Sequence, residues 1–213
     1  MTPAAHIFRQ YDIRGIVGED LDADVARAVG RAFGTRVRHL LPDRTPSVVV
    51  GRDNRPSSPS LAQALLQGLN EAGVDGVDIG TVPTGVLYWA ERDLSVDGGI
   101  QITGSHNPPE WNGIKMSLQG NPVFGETIQG LRQLIREDEL SEGEGATRTV
   151  EVLDHYVEDV LGRFDLTRPL TVAVDCGNGT ASVVAERLLQ GLGVKVIPLF
   201  CESDGTFPNH HPD

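Results

Sequence analysis

GGIQITGSHNPPEWNGIK, residues 98–115, is a short apolar run, a turn that cannot prolong it, and the start of a second run. Gly98 to Ile102 reads as a buried strand. Gly104, Asn107, Pro108 and Pro109 build the turn. The two prolines have no N–H to donate and push the residues before them into extended geometry. Ser105 is therefore expected on a stiff loop just beyond a strand end, where functional side chains gather. Gly113 to Leu118 predicts a second strand, which would bring Lys115 back beside the Ser105 hydroxyl.

Upstream, the chain alternates strand-like and helix-like runs. Val25, Val29, Ala32, Phe33 and Val37 share a face of a helix predicted from about Asp22 to Arg38. The β-branched run Ser47 to Gly51 suits a parallel strand buried on both faces. GRDNRPSS follows, then a helix with Ser58 as its expected cap, Pro59 in its first turn and Gly73 as its stop. A basic loop feeding a helix N-terminus offers an anion site for Arg52 and Arg55; pairing with nearby carboxylates is the competing reading. Val74 to Gly80 predicts another strand, and TVPT opens a helix whose Tyr88 and Trp89 are expected in the core. Repeated strand–helix–strand order implies a mostly parallel sheet with its functional loops at the strand C-terminal ends.

Downstream, a helix is expected from about Glu126 to Arg136. GNPVFGET is a near miss to a phosphate-binding loop, but Glu126 replaces the lysine and would repel phosphate. EDELSEGEGATRT is acidic and almost free of large apolar residues, which marks a solvated linker. Beyond it come a helix over 151–164, the strand LTVAVDC, a helix after GNGTAS and the strand VKVIPLF. The expected organisation is a first domain over 1–140, an acidic linker over 141–150 and the beginning of a second α/β domain over 151–213. One βαβ unit cannot bury a sheet on both faces, so this second domain is expected to be incomplete.

With 30 acidic against 18 basic residues the net charge is -12, which argues against nucleic acid as a partner. No apolar run reaches membrane-spanning length and no leader pattern is present, so a cytoplasmic protein is expected. Cys176 and Cys201 fit no metal or redox spacing and are expected to be reduced thiols. The Gly177–Gly179 pair and the adjacent His210 and His211 are weak motifs that a tight turn and a polar loop explain equally well.

A serine-hydrolase reading of Ser105 ranks third, with a triad partner elsewhere in the chain unmarked, and two observations count against it. The nucleophile elbow requires G-x-S-x-G, and His106, next in an extended chain, points away from the serine. Phosphoryl transfer fits better, since it needs positioning, positive charge and a proton carrier. Lys115, Arg14 and the Arg52/Arg55 loop offer the charge, and Lys115 or His106 can move the proton.

YDIRG, GRDNRPSS, TGSHNPPEWNGIK and DGTFPNHHPD resemble, in order, the successive motifs of the α-D-phosphohexomutases, with TGSHNP most similar to the phosphomannomutase/phosphoglucomutase branch. The resemblance implies a mixed, mostly parallel sheet sandwiched by helices. It implies that Ser105 is a phosphoserine passing its phosphoryl group to a hexose phosphate through a hexose 1,6-bisphosphate, which also serves as activator. Ser105 would be one Mg2+ ligand, Lys115 the general acid/base, and Arg14 a contact to the phosphoryl or the sugar. His106 and Asn107 would support the loop, Asn107 also touching substrate, and Tyr11 would line the cleft. The family has four domains. Its DGDGDR metal loop and GEMSGH sugar loop do not occur in this sequence, so an N-terminal part of a longer enzyme, inactive alone, is expected. A non-catalytic phosphosugar-binding or assembly module is the alternative.

Overall fold

The computed structural model describes residues 3–212. Its first part is built from β1 (Ile13–Ile16), α1 (Ala23–Leu40), β2 (Ser47–Arg52), α2 (Ser58–Glu71), β3 (Asp75–Thr81), α3 (Thr84–Asp93), β4 (Gly98–Ile102), β5 (Trp111–Leu118), β6 (Asn121–Pro122), α4 (Glu126–Glu137) and β7 (Thr147–Thr149). The sheet runs β1-β5-β4-β2-β3-β7, with β6 on β5. β5 is antiparallel to β1, β4 and β6, and the remaining ladders are parallel, so β5 alone runs against the others. The mixed, mostly parallel sheet expected from the sequence is the sheet observed.

The β-branched run of β2 shows why the strands are apolar throughout. Val48 and Val50 point into one core with Phe33, Leu65, Ile100, Ile102 and Ile114, beneath α1, α2 and α4. Val49 points the opposite way into a second core with Val77, Ile79, Val86, Leu87 and Ala90, beneath α3. The alternation is that of any strand, and here both faces are covered. All five apolar positions predicted on one face of α1 are buried, and the Asp22 side chain accepts from Val25 N at 2.8 Å as its N-cap.

Ser58 is not the cap that the sequence suggested. Ser57 occupies the N-cap position of α2 and makes no side-chain cap bond; the buried Ser58 hydroxyl instead donates to Asp53. Of the aromatic pair of α3, Tyr88 departs from expectation and is exposed, whereas Trp89 packs against the second core, makes edge contacts with His155 and Tyr156 and donates to Asp159 at 2.7 Å. Trp89 thus ties the first part of the chain to α5 (Leu153–Leu161).

The acidic segment is solvated but not unstructured. Thr147–Thr149 pair in parallel with Gly76–Asp78 of β3, and Gly143 N and Gly145 N donate to Glu71 and Asn70. The remaining elements are β8 (Thr171–Asp175), α6 (Ala185–Gly191) and β9 (Lys195–Leu199), with β8 and β9 forming a two-stranded parallel sheet. Among the described residues no helix is long and apolar enough to cross a membrane.

α1 and α2 approach closely because glycine sits at their crossing. A Cβ on Gly68 would lie 2.0 Å from the Arg27 carbonyl oxygen, and one on Gly30 2.2 Å from that of Leu65. Gly68→Ala is expected to destabilise the fold by about 1–3 kcal/mol through forced separation of the helices. Urea unfolding checks this, and an unchanged midpoint would refute it.

Candidate active site

The serine loop leaves β4 at Ile102. Thr103 N still donates to Gly113 of β5 at 3.0 Å, after which the chain turns. Gly104 N donates to Asp53 Oδ2 at 3.0 Å, and Ser105 N to the Thr103 hydroxyl at 2.9 Å. The Gly104 carbonyl accepts from Asn107 N, from the Asn107 side chain at 2.9 Å, and from the Arg14 guanidinium. Ser105 has φ of 55°, in the left-handed region that a residue with a Cβ rarely adopts, and it is exposed. His106, next on the loop, is exposed as well.

What holds the loop in this shape is Arg55, whose side chain is fully buried. Its Nε donates to Asp53 at 3.0 Å. Its two terminal nitrogens donate to Ser105 O (3.0 Å), Asn107 O (2.7 Å), Pro108 O (2.6 Å) and Trp111 O (3.2 Å). A loop with two prolines has more carbonyls than amides, and a guanidinium, which only donates, corrects that imbalance. Burial pushes the Arg55 pKa below the usual arginine value, against the opposing pull of Asp53. Arg52 is likewise paired, with Asp78 at 2.8 Å. Carboxylate pairing therefore prevails over the anion-site reading for both arginines of GRDNRPSS.

Strands β1 and β5 supply the cations. The register Ile13↔Ile114, extended by one residue, sets Asp12 opposite Lys115. Lys115 Nζ lies 3.7 Å from Asp12 Oδ2, and the same carboxylate oxygen pairs with Arg14. Arg14 is buried, and its contacts to Asp12 and Gly104 O make it a support of the serine loop. Tyr11, next to Asp12, is 74% exposed. Ser105, Arg14, Asn107 and Lys115 are thus gathered around one strand end and its loop. Asp12 and Asp53, which pair with the cations of the site, were passed over by sequence reasoning. Each stands two positions from an arginine, Asp12 with Arg14 and Asp53 with Arg55. Asp12 directly precedes β1 and Asp53 directly follows β2, so each aspartate meets its arginine at a strand end.

Ser105 opens into a cleft of about 300 Å³. Thr103 and Asp53 share its wall, and Gly177, Thr180 and His210 form the facing wall. Among the described residues His210 joins no group of three or more His, Cys, Asp or Glu that could hold a metal. Its Nδ1 meets the His211 carbonyl at 2.7 Å and its Nε2 meets Asp175 at 3.1 Å. The two walls are joined: Asn54 Nδ2 donates to Asn178 O at 2.7 Å and to Ser203 Oγ at 3.0 Å. Phe207 lies against the Arg55 guanidinium, 5.0 Å from ring centroid to Cζ.

The sequence model for phosphoglucomutase/phosphomannomutase α/β/α domain I matches residues 5–142, and that for domain II matches residues 154–213. The chain belongs to the phosphoglucomutase/phosphomannomutase family. It is 46% identical, over its whole length, to a phosphomannomutase/phosphoglucomutase of Pseudomonas aeruginosa and 40% identical to a phosphoglucomutase of Neisseria meningitidis. It covers 45% of each of those proteins. The crystal structure of a phosphoglucomutase/phosphomannomutase family protein from Burkholderia thailandensis superposes with a TM-score of 0.94 at 47% identity, matching 99% of this chain and 47% of that one. The chain therefore spans about half the length of the relatives it matches.

Two measurements test the site. Arg55→Met removes the guanidinium donor from the Ser105, Asn107, Pro108 and Trp111 carbonyls, of which Pro108 O keeps Trp111 N, and leaves the buried Asp53 carboxylate without its cation. A loss of about 3–5 kcal/mol in unfolding free energy is therefore expected, as when one partner of a buried pair is removed. Faster amide exchange over Ser105–Trp111 should accompany it, and protected amides would show that the loop holds itself. The second concerns His210, whose pKa is raised above 6.5 by the His211 carbonyl first and Asp175 second. Because the folded value is the higher one, this contribution to stability is complete below the unfolded pKa and is lost as pH rises through the folded value. An NMR titration should show a His210 midpoint above 6.5 that falls, without vanishing as a shift, in Asp175→Asn; a midpoint at or below 6.5 would overturn this.

Proposed function

We propose that this chain is the N-terminal part of a phosphomannomutase/phosphoglucomutase, an intramolecular phosphotransferase that moves a phosphoryl group between the 1- and 6-positions of a glucose or mannose phosphate. The observation that carries the proposal is Ser105 itself: an exposed hydroxyl in a left-handed conformation, on a loop fixed by Arg55, facing a cleft, with Lys115 and Arg14 sharing Asp12 beside it. A hydroxyl so held suits a phosphoryl carrier, because phosphoryl transfer draws on positioning and fixed charge more than on covalent help.

In the forward step the bond from phosphorus to Ser105 Oγ breaks and a bond from phosphorus to a sugar hydroxyl oxygen forms. Lys115 donates a proton to the departing Oγ and recovers one from the attacking hydroxyl. Arg14 keeps the loop aligned and adds positive charge near the transferring group, with Asn107 bracing the turn from within, and the exposed Tyr11 and His106 are assigned to the substrate side. The hexose 1,6-bisphosphate formed then turns over and returns its other phosphoryl group to Ser105; added bisphosphate would charge the serine in the same way.

Magnesium belongs to this chemistry as a neutraliser of phosphoryl charge. Among the described residues no three His, Cys, Asp or Glu side chains converge to hold a metal. Phosphorylated Ser105 would offer one ligand to such an ion, and no step above depends on one.

The test begins with glucose 1,6-bisphosphate in the complete enzyme. Incubation should add one phosphoryl group, mapped by mass spectrometry to Ser105 and absent in Ser105→Ala. In the same enzyme Lys115→Met should lower the mutase rate by roughly 10²–10⁴-fold, the usual contribution of a positioned acid/base. Phosphosugar binding without phosphorylation of Ser105 would instead favour a binding module, and a near-normal rate for Lys115→Met would remove that residue from the mechanism.

A further inference from the structure

Cys176 and Cys201 stand 25 residues apart, with no spacing that marks them as partners, yet the β8–β9 ladder brings them together. Cys176 directly follows the last residue of β8, and its N–H donates to Leu199 O, at the end of β9, at 3.1 Å. Two residues further along, the Cys201 thiol lies 3.3 Å from Cys176 Sγ, and 3.4 and 3.5 Å from the Leu199 and Val174 carbonyls. Both are free thiols, each partly open to solvent. A disulfide requires the sulfurs to close to about 2.05 Å. That is a movement of little more than an ångström between side chains already held on neighbouring strands.

We propose that Cys176 and Cys201 form a reversible redox pair, closed to a disulfide by exchange with a low-molecular-weight disulfide. One cysteine attacks a sulfur of the oxidant, breaks its S–S bond and releases one small thiol. The second cysteine attacks the mixed disulfide, forms the Cys176–Cys201 bond and releases the other small thiol. The protein thiols lose two electrons and two protons, and the two small thiols carry both away.

Burial, followed by the Cys201 contact, pushes the Cys176 thiol up to about 12, which slows the exchange without setting which sulfur attacks first. The pair also has a place from which to act. Cys176 lies between Asp175, which meets His210, and Gly177, in the wall that faces Ser105 across the cleft. A bond there pins the end of β8 to the segment leaving β9. The inference rests on the two sulfurs and the β8–β9 register, independently of the function proposed for Ser105.

The chain equilibrated in oxidised and reduced glutathione, then trapped with an alkylating reagent, provides the test. The expected product has lost two free thiols, carries no glutathione and shows the Cys176 and Cys201 peptides joined with a mass deficit of two hydrogens. Dithiothreitol should reverse it. In Cys176→Ser the exchange should stop at a glutathione retained on Cys201. Two separate glutathione adducts on the unsubstituted chain would overturn the proposal. So would two thiols that stay reduced under conditions in which the urea-unfolded chain reacts.

Discussion

The guanidinium of Arg55 is the contact on which the site depends. It is buried, it lies against Asp53, and it donates to the carbonyls of four residues in a loop that cannot satisfy itself. Each partner is useful because of what it lacks. Proline has no N–H, arginine has no acceptor, and Gly104 has no side chain: a Cβ there would lie 2.3 Å from the Arg55 guanidinium carbon. Asp53 keeps the buried charge from being isolated while also accepting from Gly104 N and Ser58. The left-handed Ser105 is tolerable because its neighbours are fixed on both sides.

This clasp links the sheet to the segment beyond it. Asn54, adjacent to Asp53, reaches Asn178 and Ser203, and Gly205 packs so closely that a Cβ would lie 2.2 Å from Asn54 O. Phe207 covers the outer face of the Arg55 guanidinium. The side chains that shape the serine loop from behind are thus the ones that position the opposite wall of its cleft. The loop and the wall share a foundation, and neither can shift without straining the other.

Much of this was legible in the sequence, because burial on both faces leaves an unmistakable run such as Val48-Val49-Val50, and a helix facing one core repeats its apolar residues as α1 does. The serine loop was legible from its prolines. Less legible was anything set by pairing across the chain. Arg52 and Arg55 look like anion ligands until Asp78 and Asp53 are seen beside them. Arg14 reads as a free source of charge until the β1–β5 register buries it beside Asp12. The sulfurs of Cys176 and Cys201 meet only through a parallel ladder, which sequence spacing does not encode. The acidic stretch has the composition of a linker because its residues do remain in water; its backbone nevertheless finds β3.

That last pairing has a bearing on solubility. Without β7, the seven-residue strand β3 would present an open row of amides and carbonyls along one side of the sheet, a template for any extended chain. β7 replaces this border with a strand of three residues, all exposed, with Arg148 at its centre. A short, charged, hydrated margin gives a second copy little to extend. A segment poor in apolar residues therefore guards the sheet against edge-to-edge growth.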